Sequence, residues 1–302
     1  MLESQGISLI NISKIEGFYM KIRAENTSRK LIQRIILVVL TFLAIGLVGF
    51  PLFWMVMSSL KPPTELFKMP PTILPQNFSL EWYREAFSNS IVVHYFLNSL
   101  IVASVTSILV IILATFGAYS LTRFRFFGRK AITIAVLSAY CIPPIMLMIP
   151  LYRIIASLQL KASLFGVIIG HMTVTFPFAI WLLIAFFRSI PREIEEAALV
   201  DGGSDITVFY KIILPLCIPG ILSTGILVFI LSWNEYLLAS VLVSQDTMKT
   251  LTVGLANYIS SVEINWGVIM ALGTATTIPV VLMFTAIQRY FVEGLTAGAV
   301  KG

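Results

Sequence analysis

Between Glu85 and Arg123 the chain reads AFSNSIVVHYFLNSLIVASVTSILVIILATFGAYSLT, residues 86–122, without one Asp, Glu, Lys or Arg. The run does not alternate polar and apolar residues, as a strand of a membrane barrel would. Backbone in lipid must satisfy its own hydrogen bonds, so a charge-free run of this length is a helix. Five more such runs lie at 35–60, 131–152, 162–187, 212–234 and 264–288. At about 1.5 Å per residue even the shortest, 131–152, makes roughly 33 Å of helix, enough to cross a ~30 Å hydrocarbon core. Of the 302 residues 58% are hydrophobic and 12% charged, where a soluble domain carries about 25% charge. The reading is an all-α membrane protein with six transmembrane helices.

Lys and Arg set the expected orientation. With six spans the N-terminal segment, 123–130, 188–211 and the C-terminus share one side and carry fifteen bases, against six on the other. Fifteen against six places both termini in the cytoplasm of a cell (inner or plasma) membrane. The net charge of +6 is then a topology signal, and no aromatic-interleaved basic stretch suggests nucleic acid as a partner. Residues 1–31 read as a cytoplasmic N-terminal segment, 32–290 as the transmembrane domain and 291–302 as a cytoplasmic tail. Residues 1–30 hold six charged positions before Arg29 and no cleavable signal pattern. Met20 would serve as a start, because Lys21 to Lys30 already supplies a basic flank. Cys141 and Cys217 sit in or beside apolar runs and read as packing residues.

Local signals refine the spans. Pro51 should kink the first. The loop 61–85 holds five prolines and leads into a short amphipathic helix around Leu80–Phe87, either interfacial or on a surface loop. The turn 123–130 combines bases with Phe124, Phe126 and Phe127, which suits a headgroup region. Pro143, Pro144 and Pro150 break backbone hydrogen bonds in the third span, which is tolerable only beside protein or a water-filled path. Gly166 and Gly170 permit close approach of another helix. Glu235 ends an apolar run, as an embedded functional group or as part of an interfacial belt with Trp233 and Tyr236. His94 and His171 read as packed or hydrogen-bonded, so no embedded acid–base pair is expected.

The cytoplasmic-side stretch 188–211 is different in kind. Pro191 suits a first helical turn, the acids after it complement a helix N-terminus, and Ala197, Ala198 and Leu199 favour helix. Gly202 and Gly203 end that helix, and Ser204 can cap a second. Five acids against three bases make the stretch net negative beside an anionic leaflet. A flat acidic helix of this kind is built to enter a groove on a basic partner, or else is an ordinary solvated loop helix.

The order Glu196-Ala197-Ala198, Asp201-Gly202, Phe209, Ile212, Leu214-Pro215 and Pro219-Gly220 resembles the Glu-Ala-Ala loop of binding-protein-dependent ABC importer permeases. The tail from Gln288 to Gly302, and Trp233-Asn234-Glu235-Tyr236-Leu237, resemble the maltose-type carbohydrate permeases, specifically the smaller of their two partner subunits. The likeness runs from about residue 31 to 302. It implies the type I ABC importer permease fold with a coupling loop over 188–214. Glu195, Glu196, Ala197, Ala198, Asp201, Gly202 and Gly203 would couple to the ATPase, with Glu196 making the polar contact and Gly202 the turn. Gly203 stands where many relatives have alanine, a difference expected to matter little. Thr296, Ala297, Gly298 and Lys301 would reach the ATPase interface, and Asn257, Tyr258 and Ile259 the binding protein.

The resemblance further implies a heterodimer with a second permease, two ABC ATPase subunits, an extracytoplasmic solute-binding protein and surrounding membrane lipid. The chain has no Gly-Lys dipeptide, hence no Walker P-loop, and too few histidines for a His-based metal motif. No catalytic residue, metal or bound cofactor is expected; ATP and Mg would be used by the partner ATPases. The transported solute would be a di- or oligosaccharide, with a non-sugar such as glycerol phosphate as the alternative and a secondary transporter as the more distant one.

Overall fold

The computed structural model describes the backbone of residues 12–161, 163–259 and 264–299, with side chains over 33–161, 163–258 and 264–286. Among the described residues all regular structure is helical. The chain divides into two units, residues 1–57 and 58–302. The first is made by helix α1 (Ile12–Ser59), which passes through Pro51 without interruption and begins well before the expected span. Side chains from Gln33 to Val48 are all exposed. An apolar helix exposed on every side requires lipid or a neighbouring subunit.

In the second unit α2 (Pro63–Leu66) and α3 (Glu81–Ser88) precede the long helix α4 (Ser90–Arg123). Then follow α5 (Arg129–Tyr140), α6 (Pro144–Ser157) and α7 (Leu164–Ser189). Next come α8 (Glu193–Val200), α9 (Asp205–Val208), a π turn over Phe209–Ile213 and α10 (Leu214–Trp233). The chain closes with α11 (Leu237–Leu242), α12 (Leu251–Ile259) and α13 (Trp266–Ala299).

Helices α4 and α7 form the centre. Lipid gives little hydrophobic drive for helices to associate, so close packing of small residues matters more than apolarity. Ala114, Gly117 and Ala118 on α4 meet Ala179, Ile180 and Leu183 on α7, and Phe187 and Ile213 close this core. A Cβ on Gly117 would already stand 3.3 Å from Ile180. Of the two glycines expected to admit a helix, Gly170 admits the short α11, where a Cβ would strike Leu242, while a Cβ on Gly166 would strike the Leu160 carbonyl of the loop before α7, both at 2.5 Å.

The third charge-free run is not one helix. It is split into α5 and α6, which meet at a 105° bend. Pro143 has no N–H to continue α5 and disfavours helical backbone before it, while Pro144 fits the first turn of α6. The side-chain contacts decide whether this bent pair crosses. Arg123 at the end of α4 donates to the carbonyls of Phe187 and Ile190 at the end of α7, so α4 and α7 run parallel. The intervening chain must therefore cross back. Arg129 at the head of α5 donates to the Leu121 carbonyl. Ile155 near the end of α6 lies in the opposite core with Val102, Ile168 and Leu242. With five continuous apolar helices, the bent pair makes the sixth crossing.

On the side opposite Arg123, α3 is a packed element rather than a loose interfacial helix. Trp82 is buried against Gly267 and its indole N–H donates to the Lys61 carbonyl at 2.7 Å. Buried Glu65 organises the proline-rich loop: its carboxylate accepts from the Gln76 and Asn77 amides and the Thr72 hydroxyl. The Gln76 amide first, then Thr72, hold this carboxyl below the ordinary range. A group lowered on folding stabilises above its unfolded value, about 4.3 for Glu, and that contribution fades as pH falls through the lower folded value. Protection of the Gln76 and Asn77 amides against hydrogen exchange, corrected for intrinsic rate, should hold at neutral pH and fall below pH ~4. Glu65→Gln should flatten that dependence.

Candidate coupling surface

At the end of the spans carrying Arg123, α8 lies between two long helices and is fastened to both. The side chains of Glu193, Glu195 and Glu196 fill its first turn, where the helix dipole favours negative charge. Arg192 just before it donates to the Thr122 carbonyl at 2.9 Å. The Arg123 guanidinium donates to the Phe187 and Ile190 carbonyls, each at 2.9 Å, and its Nε lies 2.6 Å from Glu195 Oε1. The pair is nearly closed to water, with side chains 7% and 13% exposed. Burial pushes the Glu195 carboxyl above its ordinary range, against the pull of Arg123 and Arg192. One guanidinium thus ties the ends of α4 and α7 to α8.

The outer face of α8 is the opposite. Glu193, Glu196 and Ala197 are exposed, and Val200 is 87% exposed. Ile206 and Tyr210 are exposed beyond it, among Asp201 and Asp205. Val200, Ile206 and Tyr210 are thus apolar side chains exposed among acids. Ala198 turns inward and packs on the α4–α7 core.

The helix ends as the glycines require. Gly202 has φ +87°, a left-handed conformation that costs an L side chain about 1–2 kcal/mol. The Gly203 amide donates to the Ala198 carbonyl at 3.0 Å. A Cβ on Gly203 would stand 2.8 Å from that same oxygen, so alanine there needs a shift of backbone. That is more than the sequence suggested. Ser204 Oγ accepts from the Thr207 amide at 3.3 Å and starts α9. The π turn then leads straight into α10. Phe209 in it is 5% exposed, its ring 4.5 Å from that of Tyr119 on α4. Arg123 thus ties α8 to α4, and Phe209, in the turn that leads into α10, packs on α4 as well.

The residues grouped by sequence separate in space. Glu196, Ala197, Asp201 and Gly202 lie on the exposed face, whereas Glu195, Ala198 and Gly203 hold the loop together from within. Thr296, Ala297 and Gly298 belong to the helical backbone of α13; their side chains and Lys301 lie outside the described residues. Asn257 and Tyr258 line a cavity of about 710 Å³ at the opposite end with Trp82, Glu85, Tyr95 and Asn265. Ile259 ends α12, and its side chain lies outside the described residues.

One pair escaped the sequence reading altogether. His171 Nε2 lies 3.0 Å from Glu235 Oε2, and its Nδ1 2.7 Å from Ser232 Oγ. The same carboxylate accepts from the Leu238 and Ala239 amides and so caps α11. An acid–base pair is therefore present, roughly 10 Å along α7 from Leu164, between that end and the middle of the 26-residue helix. Its partners are 64 residues apart in sequence, and nothing in the pattern of either run links them.

Residues 111–296, which contain α8 and the spans it joins, match the family described as binding-protein-dependent transport system inner membrane component. The chain is 40% identical to the inner membrane ABC transporter permease protein YcjP of Escherichia coli (strain K12), over 84% of this chain and 91% of that one. It is 33% identical to the trehalose/maltose transport system permease protein MalG of Thermococcus litoralis, over 90% and 99%. Its fold matches a chain from the crystal structure of a bacterial ABC transporter that imports the acidic polysaccharide alginate, with TM-score 0.75 and 24% identity over 87% and 98% of the two chains. The chain belongs to the family of binding-protein-dependent inner-membrane components and is a permease subunit of an ABC importer.

Proposed function

We propose that this chain pairs with a second permease to form the translocation path for a di- or oligosaccharide, moved by two separate ATPase subunits that bind ATP and Mg. The observation that carries this reading is the two-sided construction of α8. Its inner face is locked to the spans by Arg123 and Arg192, and its outer face offers Glu196 and Val200 to a partner. A loop that only closed a turn would need the first and not the second.

Closure of the ATPases on ATP would carry α8 with it, and the two ties described above would pass the motion to α4 and α10. An extracytoplasmic solute-binding protein would dock near the cavity lined by Asn257 and Tyr258 and bias the pore toward its outward-facing state. It can do so only by binding that state more tightly. Both termini are cytoplasmic on this reading, as the distribution of bases requires. The sugar class is supported by the relative named for trehalose and maltose.

Proteoliposomes holding the full complex and its binding protein should accumulate sugar only when ATP is enclosed with the ATPases. Uptake driven by an ion gradient without ATP would overturn the reading. Saturable uptake of a non-sugar alone would overturn only the substrate class.

A further inference from the structure

At the same end of the spans a second cleft, of about 790 Å³, opens between the α4–α5 turn and the end of α7. Its rim carries Arg125, Arg129, Lys130 and Arg188, and no acid lines it. Leu121, Phe126, Phe127 and Ile134 make most of its remaining wall, with Thr133 beside them. Positive Gly128 φ (+82°) closes the turn, and Arg129 fixes it by donating to the Leu121, Phe124 and Thr122 carbonyls. The cleft is thus shaped before anything enters it. Arg129 is spent on that task. Among the described residues Arg125, Lys130 and Arg188 have no ion-pair or hydrogen-bond partner.

We propose that this cleft is a binding site for an anionic phospholipid. Its phosphodiester would sit among Arg125, Lys130 and Arg188, with an acyl chain along Phe126, Phe127 and Ile134. The ligand must be anionic, because uncompensated cations ring the opening. It must also be amphiphilic. Phe127 is fully exposed, Ile134 is 54% exposed, and α5 has no buried residue. Basic clefts between membrane helices on the inner side suit lipid headgroups, and Arg presents a fork matched to phosphate. Orientation alone would require bases in the 123–130 turn. It would not bring Arg188, from the last turn of α7, to the rim of the same apolar cleft. The proposal rests on the membrane topology and not on the transported solute or on Glu196.

The test is lipid retention by the assembled transporter. Wild type and an R125Q/K130Q/R188Q variant are placed in nanodiscs of phosphatidylcholine with a minor fraction of phosphatidylglycerol, then stripped with detergent and weighed intact. Wild type should retain phosphatidylglycerol over phosphatidylcholine, and the variant should lose that preference by roughly tenfold or more. Equal retention by the variant would overturn the site. So would release of the lipid by millimolar inorganic phosphate, which would mean a site for free phosphate. Loss of ATPase subunits with lipid retention unchanged would mark the cleft as a protein contact and equally overturn it. If the triple variant does not assemble, Arg188→Gln leaves the 123–130 turn intact and should still lower retention several-fold; no change would sink the proposal.

Discussion

Arg123→Ala is expected to abolish transport while leaving the chain in the membrane. The spans keep their apolar residues, but the guanidinium that serves two carbonyls and one carboxylate is gone. Glu195, 13% exposed, loses its paired counter-charge and keeps only the weaker pull of Arg192. Removing one member of a buried pair costs about 3–5 kcal/mol, mostly because the other charge stays desolvated. Here the cost falls on the seating of α8, so the loop should detach locally. Limited proteolysis should show faster cleavage between residues 189 and 205, and uptake should fall to background. Arg123→Lys should recover little, since a single ammonium nitrogen lacks the planar fork by which one guanidinium nitrogen serves the two carbonyls and another the carboxylate. Arg123→Ala with Glu195→Gln should recover part of the loss, because the lone buried charge is gone. Unchanged proteolysis and uptake in Arg123→Ala would show that the ion pair does not seat α8.

Much of this architecture was legible in the sequence, for a physical reason. Lipid excludes charge, and the charge-free runs bounded by Arg34 and Lys61 and by Glu85 and Arg123 fold as long apolar helices. The helix–turn–helix at 191–209 was legible too, because its signals are local: acids in a first turn, two glycines at a stop, Ser204 at a cap. The left-handed Gly202 and the Ser204–Thr207 bond lie where those signals put them.

What the sequence did not show depends on partners distant along the chain. Arg123 and Glu195 are 72 residues apart, and no spacing rule joins them. Glu195 was therefore grouped with Glu196 as an ATPase-coupling residue, when it is the one that faces inward. His171 and Glu235 escaped for the same reason, each unremarkable in its own run. The prolines at 143 and 144 announced a break, but not that the two halves would turn 105° and still make one crossing. That followed only from the parallel course of α4 and α7. The π turn at Phe209–Ile213 left no mark in composition.

The second large effect is expected from Glu196→Lys. Glu196 is exposed and, among the described residues, has no ion-pair partner, so the exchange should change folding stability by no more than about 0.5 kcal/mol. Its proposed role lies wholly in the contact with a basic groove of the ATPase. Reversing a charge there replaces an attraction with a repulsion worth several kcal/mol, roughly a hundredfold or more in affinity. Glu193→Lys, one turn nearer the Pro191 end, should do less. The decisive measurement is recovery of the ATPase subunits with Glu196→Lys permease purified from membranes, beside its level of insertion. Normal insertion with the ATPases lost is the expected result. Normal insertion with the ATPases retained and sugar uptake undiminished would contradict the claim that α8 is the element through which ATP hydrolysis moves this pore.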